Sequence, residues 1–340
     1  MGNKNIKVVK TKKKFNMTRV MYYLKSLINN QSCKEIGVKK WPWSIIVFFV
    51  SVLIAMIPTT VSAANMQGSG YISNTRNDVF KNSLHEYANS SDVNDFKITG
   101  NVASFDGEVE TEEINVGNGI KYTIPKAVYT FEYTDSNSLT TKFKLFFIEG
   151  EQHLFSNTAT QVQEVNKDVS YIIFGERYYI SSLFSSGQQY GSVSGNYSRF
   201  EDVTSFKGYL LKDVSSTASL NEQKEAIITN YGLFVNTVYE SLKMDLVLVQ
   251  SGIILGINGG LILLMALVVY FMTRGKYNPN RDIKIYQAMG IAFTATLTPA
   301  LLAMILGFLV PSFSIMMFIM IYGFRIMWLS MKYLRPQPQA

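Results

Sequence analysis

Three long stretches of the chain contain no charged side chain and are rich in apolar residues, at 41–75, 246–273 and 285–324. A membrane-spanning helix needs about 20 apolar residues. The third stretch, at 40 residues, is about twice that length. Pro311 marks a break within it, because proline disrupts a helix interior. The pattern therefore predicts four membrane-spanning helices, at 43–64, 247–272, 289–310 and 313–333.

Charge is distributed unevenly around these predicted spans. Residues 1–40 carry a net charge of +10, residues 65–245 carry −9 and residues 246–340 carry +6. Lys and Arg are typical of cytoplasmic span ends, so we predict that both termini and the loop 273–288 are cytoplasmic. The acidic segment 65–245 is then extracytoplasmic. A nucleic-acid binder would place basic residues across a folded surface, so no nucleic-acid partner is expected.

The first span has an alternative interpretation. Small residues follow its apolar centre at Val61-Ser62-Ala63-Ala64, a pattern that suits signal peptidase. Residues 1–64 would then be a cleaved secretory signal with a long basic start. The sequence leaves both interpretations open, and the mass of the mature N-terminus distinguishes them.

The only cysteine is Cys33, in the predicted cytoplasmic segment. The predicted external domain therefore contains no disulfide and depends on its own hydrophobic core, which its length allows. We interpret this cysteine usage as favouring a Gram-positive bacterial surface.

The basic segment 1–40 contains apolar residues at helical spacing from Met17 to Ile28. The spacing predicts either an amphipathic helix on the inner leaflet or a short helix that packs under the bundle. Trp41 and Trp43 precede the first span and are typical of a membrane interface.

The segment 65–245 predicts an α+β domain, an antiparallel sheet flanked by two helices. A helix is expected within Asn77–Asn89, and Ser219-Leu-Asn-Glu222 is a capping-box pattern that opens a helix continuing into the second span. Aromatic and β-branched runs predict strands, at Lys121–Ile124, Ala127–Tyr133, Thr141–Ile148, Gln152–Phe155, Ser170–Gly175 and Arg177–Ser181. Asp135–Leu139 is turn-like, and the Ser/Gly/Gln-rich stretch Ser185–Ser198 predicts a long loop.

Polar and small residues within the spans are the candidate functional positions. Gly252, Gly256 and Gly260 form two overlapping GxxxG spacings, which favour helix packing against an intramolecular neighbour, with self-association as the alternative. Asn258 requires an interhelical hydrogen bond. Arg325 is the only charge in the interior of a predicted span, since Lys332 lies at the end of the fourth. We expect Arg325 either to be functional or to snorkel to the interface.

A group of hydroxyl residues lies in the third predicted span, at Thr294, Thr296 and Thr298, just before Pro299. We expect a helix kink there with the hydroxyls bonded to backbone carbonyls. A polar patch inside the bundle is the alternative.

Signals of catalysis are weak. His85 and His153 are the only histidines and lack metal-site spacing. The acidic cluster Asp106–Glu113 is expected to be a solvated loop and lacks the calcium-loop pattern. No P-loop, dinucleotide fingerprint or nucleophile elbow is present in the sequence. We therefore predict a non-enzyme without a cofactor or metal.

The basic helix Met17–Ile28, the first span ending in Ile57-Pro58 and the C-terminal block with Tyr286–Pro299 resemble an uncharacterised multi-pass membrane family of Gram-positive bacteria. That family is similar to the Yip1 superfamily, and some of its members are labelled maltodextrin utilization proteins. The resemblance implies a genomic association with sugar uptake and carries no catalytic residues. We expect an accessory, sensing or scaffolding protein of the cell membrane, with the lipid bilayer and a sugar transporter as partners. The alternative is a small transporter or channel component with a polar path.

Overall fold

The computed structural model describes residues 25–70, 78–117, 119–134, 140–150, 152–185 and 188–335. The chain divides into two compact units. A helical unit contains the described residues up to Ala63 and those from Leu248 onward, and an α+β unit extends from Ala64 to Val247.

The described chain begins and ends with helices, and its strands lie between them in two runs separated by one helix. The helices are α1 (Asn30–Lys39), α2 (Trp41–Asn65), α3 (Asp78–Asn89), α4 (Gln152–Val165), α5 (Phe206–Leu210), α6 (Leu220–Met272), α7 (Ile285–Thr294), α8 (Leu297–Leu309) and α9 (Ser314–Leu329). The strands are β1 (Phe96–Thr99), β2 (Val102–Phe105), β3 (Thr111–Asn115), β4 (Lys121–Pro125), β5 (Tyr129–Thr134), β6 (Thr140–Ile148), β7 (Ser170–Gly175), β8 (Tyr178–Ser185) and β9 (Gln188–Asn196). A 3-10 turn at Pro311–Phe313 precedes α9, and a π turn at Ser330–Leu334 follows it.

Four helical segments of the described residues are long and apolar enough to cross a membrane, by length and composition. They are Trp41–Asn65, Leu220–Met272, Ile285–Leu309 and Pro311–Leu334. The last segment begins with a short turn at Pro311, so the break between the last two segments lies where the sequence predicts it. The capping-box helix does continue into the second apolar segment, because α6 is one helix of 53 residues.

The short helix α1 packs against α7 in the helical unit. The two helices meet at Gly37 and Gly290, where a Cβ added to Gly290 would lie 2.4 Å from the Gly37 carbonyl oxygen. This helix is not the one expected at Met17–Ile28, of which residues 25–28 are helical and residues 17–24 lie outside the described part of the chain. Ile28 is 93% exposed, and the other apolar positions of the expected amphipathic helix lie outside the described residues.

The α+β unit contains a five-stranded sheet in the order β5-β6-β7-β8-β9 and two separate hairpins, β1-β2 and β3-β4. The neighbouring strands of the sheet are antiparallel except for β6 and β7, which are parallel. The expectation of a purely antiparallel sheet is therefore wrong at this pair. Parallel strands need a crossover connection, and α4 supplies it.

The prediction of a strand at Gln152–Phe155 is wrong, since these residues begin the crossover helix α4. Phe155, Ala159 and Val162 of α4 are buried at helical spacing and cover one face of the sheet. The strands predicted at Lys121–Ile124 and Ser170–Gly175 are confirmed.

The two faces of the central strands belong to two different cores. Phe143, Leu145 and Phe147 of β6 pack with α3, α5 and the first turns of α6. Phe146 and Ile148 face α4, as expected from the alternation of side chains along a strand. Every residue of β7 is buried, because helices cover it on both faces.

The loop predicted at Ser185–Ser198 is also wrong, because β9 occupies Gln188–Asn196 and pairs with β8. A polar, glycine-containing run therefore forms the edge strand, and one of its glycines is required by space. A Cβ added to Gly195 would lie 2.2 Å from the Val238 carbonyl oxygen of α6. The turn predicted at Asp135–Leu139 lies outside the described residues.

Two polar networks tie the helices of this unit down. The capping box is confirmed, with Ser219 N donating to Glu222 Oε2 at 2.8 Å and Glu222 N donating to Ser219 Oγ at 3.4 Å. The Asp95 carboxylate accepts from the backbone N–H of Lys207 at 3.1 Å and from the Ser205 hydroxyl at 2.5 Å. The first turn of α5 is thereby fastened to β1.

Candidate functional site

Arg325 on α9 is the charged side chain that the sequence places in the interior of a predicted span, and in the structure it is half-buried. Its guanidinium donates to five acceptors, the carbonyls of Ser26, Leu27 and Ala295, the side-chain oxygen of Asn30, and the Cys33 sulfur. The distances are 3.1 Å to Asn30 Oδ1, 3.1 Å to the Ala295 carbonyl and 3.0 Å to Cys33 Sγ. Arg325 therefore fastens three segments of the helical unit together.

The Ala295 carbonyl is available to Arg325 because of Pro299. Proline has no N–H and cannot donate to the carbonyl four residues earlier, which here is that of Ala295. The helix is interrupted at this point, with α7 ending at Thr294 and α8 beginning at Leu297. Ala295 is fully buried, and a buried carbonyl without a partner is costly. The guanidinium replaces the hydrogen bond that the proline removes.

The threonines around this break behave as the sequence predicts. The Thr294 hydroxyl donates to the Gly290 carbonyl at 2.8 Å, and the Thr296 hydroxyl donates to the Phe293 carbonyl at 2.7 Å. The Thr298 hydroxyl instead donates to the Leu27 carbonyl at 2.5 Å, which also accepts from Arg325. Thr298 and Arg325 thus converge on one carbonyl, and these hydroxyls stabilise a helix break.

Cys33 belongs to the same cluster. Its thiol donates to the Ser26 carbonyl at 3.1 Å and accepts from Arg325. The side chain is fully buried, and this burial raises the pKa of the thiol. The only cysteine of the chain is thus held as a neutral thiol in a packed interface.

Asn258 on α6 lies apart from this cluster. Its side chain is 1% exposed, and its amide oxygen has no hydrogen-bond partner among the described residues. The predicted interhelical hydrogen bond to this oxygen is therefore not formed within the described part of the chain. The buried Ser51 hydroxyl on α2 is likewise without a partner there.

The GxxxG positions of α6 are open. A Cβ added at Gly252, Gly256 or Gly260 would meet no described atom within 4 Å. The prediction that this face packs against an intramolecular neighbour is therefore wrong for the described residues. Self-association through it stays a prediction.

Aromatic residues accompany the basic residues of the helical unit. Four cation–ring pairs join a Lys or Arg to a tyrosine, namely Arg274–Tyr270, Lys276–Tyr277, Lys284–Tyr286 and Lys332–Tyr333. Trp41 is 40% exposed and its ring lies 5.6 Å from that of Tyr286, and Trp43 is 55% exposed. Exposed tryptophans and basic residues at the ends of apolar helices are typical of a membrane interface.

Hydrogen bonds join the connection between α6 and α7 to the last residues of the π turn. Asn278 Nδ2 donates to the carbonyls of Met272 and Leu334 at 3.0 and 2.7 Å. Lys34 Nζ donates to Asn280 Oδ1 at 2.6 Å and to the Tyr333 carbonyl at 3.2 Å. These bonds satisfy carbonyls at helix C-termini, and they place the cation–ring pairs of this connection and of the tail at the same end of the helical unit.

The α+β unit contains an open cleft of about 320 Å³ between the β1-β2 turn, the β7-β8 turn and the end of β9. Arg177 and Tyr178 line it together with Asn196, Tyr197 and Ser198, and Tyr178 and Asn196 are paired across β8 and β9. The turn residues Gly100 and Asn101 have φ values of 58° and 68°, a left-handed conformation that glycine and asparagine tolerate. This tight turn places Gly100 and Asn101 of the β1-β2 hairpin at the cleft.

The residues considered for metal binding are dispersed. No group of three or more His, Cys, Asp or Glu side chains suited to a metal ion occurs among the described residues. The acidic stretch is partly strand rather than loop, since β3 begins at Thr111. Two of its glutamates form exposed ion pairs, Glu110 with Lys126 at 2.8 Å and Glu113 with Lys121 at 3.5 Å.

Two features of the structure were not predicted from the sequence. The Gly37–Gly290 contact was not predicted, because single glycines far apart in sequence carry no pairing signal. The cleft was also missed, since Arg177 was assigned only to a strand and Asn196 to a loop. Left-handed turn residues at Gly100-Asn101 are the one local signal that indicates a tight hairpin there.

Comparison of the chain with protein-family models, with curated proteins and with solved structures found no match.

Proposed function

We propose that the chain is a non-enzymatic integral membrane protein with four spans, whose α+β unit binds a ligand or partner outside the cytoplasm. In this proposal it is an accessory, sensing or scaffolding subunit at the cell membrane, with a sugar-uptake complex as a candidate partner. The resemblance to a Gram-positive multi-pass family, from which the sugar association comes, stays a prediction.

The orientation is supported by charge. The cation–ring pairs lie on the connection 273–284 and on the tail, and a high content of Lys and Arg is typical of cytoplasmic span ends. An even number of spans puts the N-terminal segment on that same side and the acidic segment 65–245 on the other. The helix α2 continues through Val61–Ala64, which supports a retained first span over a cleaved signal.

The hydrogen bonds of Arg325 are the observation that supports a binding role rather than transport. A charged residue that lines a path must be free to meet the transported species. The Arg325 guanidinium instead donates to five groups of the helical unit, and Thr298 shares one of these acceptors. These polar side chains hold helices together, which leaves the α+β unit as the place for recognition.

Crosslinking in native membranes tests the proposal. A photoreactive residue at Asn101, beside the cleft, should capture a specific membrane or surface partner that mass spectrometry identifies. The same residue at Asn221, which is exposed in the first turn of α6, serves as the matched control. Recovery of no specific partner, together with substrate turnover by the purified protein, would contradict the proposal.

A transporter or channel component is the second candidate, and Asn258 favours it. Its buried amide oxygen has no partner among the described residues, as expected for a group that meets a permeating molecule. Asn258→Leu distinguishes the two functions. Unchanged cellular function at normal expression would remove the transporter, and loss of function with a normally folded protein would support it.

A further inference from the structure

The cleft of the α+β unit has a chemical character that its surroundings do not share. Residues 65–245 carry a net charge of −9, yet no Asp or Glu lines the cleft. Its polar side chains are those of Asn101, Arg177, Asn196 and Ser198, together with the two tyrosines. A donor-rich recess in an acidic domain is suited to an anion.

Arg177 is free to bind. It is exposed and has no ion-pair or hydrogen-bond partner among the described residues. By contrast, five lysines of the same unit are each paired with a glutamate or aspartate. A guanidinium presents a planar fork of donors that matches carboxylate and phosphate oxygens.

The adjacent end of β9 presents donors as well. The Asn196 side-chain oxygen accepts from the Ser198 N–H at 3.0 Å, so the amide N–H donors of Asn196 are not needed for this bond. The Tyr197 hydroxyl is already used, because it donates to the Tyr178 carbonyl at 3.1 Å. Asn196 is itself held by its backbone N–H, which donates to Ser241 Oγ at 3.0 Å. This end of β9 is therefore fixed before a ligand arrives.

We propose that this cleft binds a small molecule through an oxyanion, a phosphate or a carboxylate, which Arg177 of the β7-β8 turn and Asn196 at the adjacent end of β9 hold together. The volume is at the lower end of the range for small-molecule sites, about 300–1,000 Å³. The inference rests on the proposed binding role of the α+β unit and names the class of ligand.

Calorimetric titration of the full chain in detergent tests the proposal, with glycerol 3-phosphate and malonate as probes and glycerol as the neutral reference. We expect at least one anion to bind in the millimolar range and glycerol not to bind. Binding of the phosphate ester alone, the dicarboxylate alone, or both identifies the oxyanion source.

Three variants make the test specific. Arg177→Gln removes the charged fork and should weaken binding about ten-fold, the loss typical of one charge-assisted hydrogen bond. Asn196→Asp keeps the acceptor for the Ser198 N–H but replaces the donors with a negative charge, and should abolish binding. Arg199→Gln, an exposed arginine outside the cleft, should leave binding within two-fold. Circular dichroism establishes that each variant is folded.

Two results would overturn the proposal. One is the absence of heat for both anions with the wild-type chain, and the other is an equal effect of Arg177→Gln and Arg199→Gln. Neither result depends on which side of the membrane the unit occupies, so a failure here is separable from a failure of the proposed function.

Discussion

Substitution of Arg325 by glutamine should destabilise the helical unit. The change removes the charge and most of the donors that serve the carbonyls of Ser26, Leu27 and Ala295. The Ala295 carbonyl is then left without a partner, because Pro299 cannot donate to it. Arg325→Lys keeps the charge but has a single donor head, so we expect an intermediate effect.

The magnitude follows from the number and quality of these bonds. A hydrogen bond from a charged donor contributes about 1.5–3 kcal/mol, and such contributions are not additive within one network. The Leu27 bond is long at 3.4 Å, and Arg325 is only half-buried, so water reaches some acceptors after substitution. We therefore expect a loss of about 3 kcal/mol, which corresponds to a midpoint lowered by about 6–12 °C.

Thermal unfolding of the full chain in detergent, followed by tryptophan fluorescence, measures this effect. All three tryptophans, Trp41, Trp43 and Trp328, lie in the helical unit, so the signal reports on that unit alone. Arg281→Gln is the matched control, since Arg281 is exposed on the connection between α6 and α7. A midpoint for Arg325→Gln within about 1 °C of wild type, or an equal loss in the control, would refute the reasoning.

Three further predictions concern packing, a half-buried carboxylate and the thiol. Gly290→Ala should destabilise the helical unit by about 1–3 kcal/mol, because the new methyl meets the backbone of α1. Gly256→Ala meets no described atom within 4 Å and should be neutral or stabilising. Similar unfolding midpoints for the two variants would contradict the contact between α1 and α7. Asp95→Asn should lower the stability of the α+β unit by about 2 kcal/mol in chemical denaturation. Asp92 is exposed, and Asp92→Asn should change the stability by less than about 0.5 kcal/mol. Equal effects of the two substitutions would argue against the Asp95 network. Cys33 should react slowly with iodoacetamide at pH 8 in the folded protein, because burial shields the thiol and raises its pKa, and rapid alkylation without unfolding would contradict its burial.

The parts of the fold with a local signature could be predicted from the sequence. The apolar segments, the capping box at Ser219–Glu222 and the strands with alternating side chains all depend on neighbouring residues. The break at Thr294–Leu297 was likewise predicted from the hydroxyls and Pro299, since each hydroxyl bonds a carbonyl within one turn.

The errors arise where distant residues decide the outcome. Gln152–Phe155 has strand-like composition, but the parallel pairing of β6 and β7 requires a crossover helix. Gln188–Asn196 is polar but forms a strand because it pairs with β8 at the edge of the sheet. Its Gly195 is required because α6 leaves no room for a side chain there. The partners of Arg325 come from segments about 300 residues apart, so its structural role could not be predicted from span position alone.

The sidedness of the two units tests the central claim most directly. In a Cys33→Ser background, single cysteines at Ser198 of the cleft and at Arg281 of the connection between α6 and α7 give one exposed reporter for each unit. A membrane-impermeant maleimide should label Ser198→Cys in intact cells, and Arg281→Cys only after permeabilisation. Labelling of Arg281→Cys but not Ser198→Cys in intact cells would contradict the account.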